Sequence, residues 1–178
     1  MTARRPALDL ISHSPDQTRW FGSRLGRLLR RQDVILLSGR IGAGKTVLVQ
    51  GVARGLGIDD YIQSPTFTLA NEHRGRLASG EPVMLYHLDL YRLEDQAELA
   101  TFGYDEYIDA SDGVVILEWP DRLGADRPSE YLLIGIEYLA DTKRRLTFYP
   151  TGARFERLVS EFRTEAFGAQ RRTAPAGD

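Results

Sequence analysis

Between the apolar run Val34-Ile35-Leu36-Leu37 and a helix-like stretch from Val47 to Leu56, the chain reads Gly39-Arg40-Ile41-Gly42-Ala43-Gly44-Lys45-Thr46. The pattern G-x-x-x-x-G-K-[ST], set between a strand and a helix, is that of a phosphate-binding loop. Its residue types follow from the task. Wrapping a triphosphate takes backbone N–H groups at close range, which glycine permits because it has no Cβ, and a helix N-terminus aimed at the anion. Lys45 then reaches the outer phosphates as a compact charge. The Thr46 hydroxyl is placed to serve Mg²⁺, which prefers hard oxygen ligands and fills its shell with phosphate oxygens. Of the 23 basic residues only Lys45 and Lys143 are lysines, so arginine is the default cation of this chain. The motif nevertheless carries Lys, where the planar fork of Arg would not fit.

The loop also constrains the fold. Leu8 to Ile11 reads as a short strand, and Ser14-Pro15-Asp16 turns into a helix from about Thr18, with Phe21, Leu25, Leu28 and Leu29 on one face. Val34 to Leu37 is the continuous apolar run of a strand buried on both sides. Thr66 to Glu72 is expected to be extended, His73 to Pro82 a polar connection, and Val83 to Asp89 a strand. Glu94 to Phe102 and Tyr104 to Ile108 have helical patterns, and Val114 to Leu117 is a second apolar run ending on Glu118. Tyr131 to Tyr138 and Leu146 to Tyr149 resemble a closing antiparallel pair, and Phe155 to Phe167 a last amphipathic helix. Strands alternating with helices predict a three-layer α/β fold, and the hairpin-like connections make its sheet mixed parallel and antiparallel. With 178 residues, 42% of them hydrophobic, residues 1–167 are expected to form a single domain and 168–178 a disordered tail.

The absence of cysteine excludes thiol catalysis, cysteine-based zinc sites and a disulfide framework. No signal peptide or long apolar run is evident, which predicts a soluble cytoplasmic protein with no membrane segment. The formal charge of -2 hides an uneven distribution: residues 1–54 carry ten basic against three acidic side chains, and residues 85–121 ten acidic against Arg92 alone. Such asymmetry fits a cation-dependent site opposite a basic surface, although a charge run also occurs as a plain solvated face.

In an open α/β sheet the ligand lies beyond the carboxyl ends of the strands, so acids placed there matter most. Two stand out. Glu118 closes Val114-Val115-Ile116-Leu117, where a carboxylate can serve Mg²⁺ or its shell of waters; a strand-ending surface acid is the structural alternative. Asp89 ends Leu85-Tyr86-His87-Leu88 with His87 on its own face, and is placed to orient an attacking water or join the metal shell; a helix cap before Glu94 is its alternative. Thr66 follows Ser64-Pro65, a stiff segment able to carry a hydroxyl toward the γ-phosphate or metal. Trp119-Pro120 is placed to fix the direction of Glu118 by packing. No N-K-x-D guanine-reading pattern occurs, which favours adenine as the base.

Five segments line up in order: Gly39 to Thr46, Ser64-Pro65-Thr66-Phe67-Thr68-Leu69, His87-Leu88-Asp89-Leu90-Tyr91-Arg92-Leu93, Glu98-Leu99 with Gly103, and Glu118-Trp119-Pro120. Together they resemble the TsaE family, the bacterial ATPases of tRNA threonylcarbamoyladenosine biosynthesis, over about residues 8 to 150. The resemblance implies a P-loop NTPase-like fold and ATP and Mg²⁺ as cofactors. It implies Thr46 and Glu118 as metal ligands, and Lys45 with the loop at Gly39, Ile41, Gly42, Ala43 and Gly44 as the ATP cradle. Asp89 and Thr66 would assist hydrolysis, and adenine would rest near Pro15 to Thr18. It also implies TsaB and TsaD as partners, with tRNA engaged indirectly through that complex. Arg40-Ile41 departs from the acidic-Leu pair usual in the family, and Val47 replaces a common Thr. A small-molecule P-loop kinase is the alternative from another class, and a nucleotide-gated binding module a third; the acidic stretch from Glu94 to Asp112 lacks the arginine that a kinase lid uses.

Overall fold

The computed structural model describes residues 5–168; the tail expected to be disordered lies outside the described residues from 169 onward. The elements are β1 (Leu8–Ser12), α1 (Pro15–Gly26), β2 (Val34–Ser38), α2 (Lys45–Gly55), β3 (Ala70–Arg76), β4 (Pro82–Asp89) and α3 (Gln96–Phe102). They continue with α4 (Tyr104–Ile108), β5 (Gly113–Glu118), a 3₁₀ turn (Pro120–Leu123), β6 (Tyr131–Tyr138), β7 (Arg144–Thr151) and α5 (Ala153–Phe167). All seven strands form one sheet in the order β1-β7-β6-β2-β5-β4-β3. The pairs β2/β5, β2/β6 and β4/β5 are parallel, whereas β1/β7, β6/β7 and β3/β4 are antiparallel. This is the expected mixed sheet of a P-loop NTPase-like fold, with its parallel strands in the middle.

The period of two along each central strand sorts its residues into two cores. Ile35, Leu37, Leu85, Val114 and Ile116 pack with Phe21 and Leu25 of α1, Leu48 and Val52 of α2, and Phe155 and Phe162 of α5. Val34, Leu36, Leu88, Val115 and Leu117 pack on the other face with Leu99, Tyr104 and Leu123. Both faces of β2 are therefore covered, which is why it reads as an unbroken apolar run. By the same parity, His87 and Asp89 on β4 and Glu118 on β5 fall on the face that carries α2.

Helices α1 and α2 run side by side in the same direction at close range, because each presents glycines to the other. A Cβ on Gly22 would lie 2.5 Å from the Leu48 carbonyl oxygen and one on Gly26 2.4 Å from that of Val52. From the other helix, Gly51 would meet the Arg19 oxygen at 2.3 Å and Gly55 that of Ser23 at 2.4 Å. This contact sets where α2, and the phosphate loop at its start, stand on the sheet.

Two segments differ from the sequence expectation. Helix α1 begins at Pro15 rather than near Thr18, because the Ser14 hydroxyl accepts the Gln17 N–H at 3.0 Å and Pro15 occupies the first helical position. Residues 66–69 form a turn instead of extended chain, closed by the Leu69 N–H on the Pro65 carbonyl at 2.7 Å, and β3 starts only at Ala70 and continues to Arg76. The hydroxyls of Ser64 and Thr66 are drawn to Asp89, which curls the segment.

At the sheet edge, Arg145 of β7 grips Asp9 of β1 with Nε and Nη2 at 3.0 and 2.6 Å. This hydrogen-bonded guanidinium holds the Asp9 carboxyl below its ordinary 3.8. A depressed carboxylate contributes stability above its unfolded value and loses it as pH falls through the folded one. Both side chains are more than a third exposed, so Asp9→Asn is expected to cost less than about 1 kcal/mol at neutral pH. Urea unfolding of the two proteins should converge at pH well below 3.8.

Candidate active site

Gly44 enters α2 with φ 105°, in the left-handed region, and caps the helix without a side chain. Its lack of a Cβ leaves the first turn of α2 open to an anion, where the helix dipole and free N–H groups favour negative charge. Lys45 follows as the first helical residue. It is only 6% exposed, and its Nζ donates to the carbonyls of Gly39 at 2.7 Å and Arg40 at 3.1 Å. The Trp119 ring covers the ammonium, with its centroid 4.5 Å away. Burial holds the Lys45 ammonium below its ordinary 10.5, while Glu118 and Asp89 act in the opposite sense.

Both carboxylates are held in place. Glu118 Oε1 lies 2.8 Å from His87 Nε2, and both side chains are buried. A carboxylate oxygen accepts, so Nε2 donates; Nδ1 of the same ring is buried without a partner among the described residues. Asp89 Oδ2 accepts from Ser64 Oγ and Thr66 Oγ1, each at 2.8 Å, and Oδ1 accepts the Tyr91 N–H at 2.9 Å. The register pairs Asp89 with Glu118 across β4 and β5, and Glu118 with Leu37 across β5 and β2, directly before the loop.

These groups converge. A cavity of about 400 Å³ is lined by Ile41, Gly42, Gly44, Lys45, Thr46, Val47, Ser64, Thr66, Asp89, Tyr91, Glu118 and Trp119. Among the described residues, Lys45 is the sole cation lining it, against two carboxylates. Trp119 turns there with φ 64° and ψ 54°, an uncommon left-handed conformation for a large side chain, and packs on Tyr91 with ring centroids 5.0 Å apart. It thereby presses on Lys45 while its neighbour Glu118 faces the cavity.

Among the sequence candidates, Lys45, Thr46, Thr66, Asp89, Glu118, Ile41, Gly42 and Gly44 line this cavity; Gly39 and Ala43 belong to the same loop but line an adjoining one. Pro15 and Thr18 stand apart from the lining, at the start of α1. Pro15 is exposed, whereas the Thr18 hydroxyl is buried and bonded to Ser12 Oγ at 2.7 Å. Sequence reasoning passed over Ser64 as a site residue, although its spacing of two from Thr66 was a usable signal. It left His87 without a bond to Glu118, and it gave no role to Arg144, whose Nε donates to the Ala43 carbonyl at 2.7 Å. Nothing local to residues 142–145 points to that contact.

A glycine-rich loop running from a parallel strand into a helix, with carboxylates on the two strands next in line, defines the class: a protein of the P-loop NTPase-like fold. The family model described as threonylcarbamoyl adenosine biosynthesis protein TsaE matches residues 12–146, and the chain belongs to that family. It is 39% identical over 137 residues to the tRNA threonylcarbamoyladenosine biosynthesis protein TsaE of Treponema pallidum, covering 77% of this chain and 96% of that protein. The Bacillus subtilis protein of that name is 36% identical over 148 residues, covering 83% and 89%. The crystal structure of Bacillus subtilis YdiB superposes with a TM-score of 0.76 at 30% identity, covering 92% of this chain and 99% of that one. These likenesses support the biosynthesis reading over the small-molecule kinase. Among the described residues, no helix is long and apolar enough to cross a membrane.

Proposed function

We propose that this chain is the Mg²⁺-dependent, ATP-binding and ATP-hydrolysing subunit required to form threonylcarbamoyladenosine in tRNAs that read codons beginning with A. On this reading it works in the cytoplasm with TsaB and TsaD; TsaD carries out the transfer, and the ATP cycle here resets the assembly between turnovers. The observation that carries the proposal is the convergence of Lys45, Thr46, Thr66, Asp89 and Glu118 on one cavity beside the loop.

The donor set fits the cofactor. No cluster of three or more His, Asp or Glu side chains able to hold a metal occurs among the described residues. A hard cation here would therefore be held by the Thr46 hydroxyl and Glu118, with phosphate oxygens completing its shell, as Mg²⁺ prefers. When bound, Mg²⁺ supplies positive charge to the phosphates. The chain's own part is to bind and orient: loop amides and Lys45 hold the phosphates, and Asp89, fixed by Ser64, Thr66 and the Tyr91 N–H, presents a stationary acceptor for a water aligned on the γ-phosphate. The Pro15 to Thr18 end of α1, which runs alongside α2, is the proposed neighbour of adenine.

Charge explains why hydrolysis should be slow in isolation. The transition state spreads negative charge over the γ-phosphate oxygens, and Lys45 is the one cation lining the cavity among the described residues. A partner that adds a cation or excludes water would complete it. Phosphate release is expected to be weak for the chain alone with Mg²⁺ and ATP and to rise when TsaB and TsaD are added. A brisk rate unchanged by the partners would overturn the proposal, and conversion of ATP to a phosphorylated metabolite would identify a kinase.

A further inference from the structure

Arg144 stands at the start of β7, paired across the sheet with Ser12 on one side and Tyr138 on the other. Its Nη1 donates to the carbonyls of Ala140 at 2.7 Å and Lys143 at 2.9 Å, tying it to the β6–β7 turn, and its guanidinium lies 4.6 Å from the Tyr138 ring centroid. So held, it extends Nε 2.7 Å from the Ala43 carbonyl oxygen. A Cβ built on Gly44 would lie 3.7 Å from the same nitrogen.

The Ala43 carbonyl and the Gly44 N–H belong to one peptide group. In a planar trans peptide they point in opposite directions, and the described chain has no cis bonds. Gly44, at φ 105°, offers little steric resistance to a flip of that plane. From this geometry we infer that Arg144 is a positioning residue. By holding the Ala43 carbonyl toward the β6–β7 turn, it aims the Gly44 N–H into the phosphate cradle, so the turn after β6 sets the anion-binding form of a loop about a hundred residues earlier in the chain. The inference rests on the nucleotide-binding reading above and names the residue that prepares the cradle.

Two substitutions separate the hydrogen bond from charge and packing. Gln places its amide nitrogen as many atoms from Cα as Nε of Arg, so R144Q keeps a neutral donor for Ala43; R144M keeps the unbranched stem without a donor. In calorimetric titration with Mg²⁺ and ATP, R144M is expected to bind about tenfold or more weakly than the wild type, the scale of a lost hydrogen bond to a charged group. R144Q should stay within about threefold of the wild type, because the donor is retained. The Gly44 amide proton resonance should move downfield on adding Mg²⁺ and ADP to the wild type and to R144Q, and should not do so in R144M. Equal affinity of R144M and wild type would overturn the inference, as would equal losses in both variants, which would assign the effect to charge. Should R144M fail to fold, the wild-type resonance decides: a Gly44 amide that stays in place on binding is not aimed at a phosphate. If the wild type itself shows no saturable binding, the nucleotide reading falls first and the inference with it.

Discussion

Glu118→Gln is expected to lower ATP turnover about a hundredfold or more while changing ATP affinity less than about tenfold. The side chain is 3% exposed and keeps its place through His87 Nε2 at 2.8 Å. Glutamine has the same shape, and its carbonyl oxygen can still accept that hydrogen bond, so the substitution removes a charge and little else. On the proposed reading, binding would rely on the loop amides and Lys45, which the change leaves intact. On the same reading, hydrolysis would rely on a charge arrangement prepared before the reaction, and a neutral amide would hold Mg²⁺ less well than a carboxylate. Steady-state phosphate release, set beside calorimetric titration with ATP, reads the two effects separately. Unaltered turnover would remove Glu118 from the site.

The second large effect concerns stability. Helix propensity alone favours Gly51→Ala by up to about 1 kcal/mol. The added Cβ, however, would lie 2.3 Å from the backbone oxygen of Arg19 and 2.9 Å from its Cα, neither of which can swing aside as a flexible side chain can. The helices α1 and α2 would have to part, and overpacking of this kind costs about 1–3 kcal/mol. The net result should be a lower urea midpoint. Because α2 begins at Lys45, the displacement should also weaken ATP binding. A midpoint raised by the substitution would mean that the close approach of the two helices is not required.

Much of the fold was legible because its signals are local. The apolar runs ending on Leu37 and Leu117 marked strands covered on both faces, and the period of two put His87 on the side of Asp89. The loop Gly39–Thr46 announced its chemistry through glycines and a single lysine in an arginine-rich chain. Two boundaries shifted where a side chain competed with the backbone pattern: Ser14 capped α1 earlier than its apolar face indicates, and Ser64 and Thr66 turned toward Asp89 where an extended segment was expected. The bond between His87 and Glu118 was not legible, because it depends on the register of β4 against β5.

By itself, the amino-acid sequence determined the phosphate loop, the carboxylates at the strand ends and the alternation of strands and helices. Each is written in neighbouring residues whose conformational preferences and periodicity act over a few positions. Only the tertiary structure decided that Trp119 covers Lys45, that Ser64 and Thr66 share one oxygen of Asp89, and that Arg144 holds the Ala43 carbonyl. Those contacts join residues far apart in the chain, and they exist because sheet order, strand register and the glycine-lined approach of α1 to α2 place the backbones within hydrogen-bonding reach.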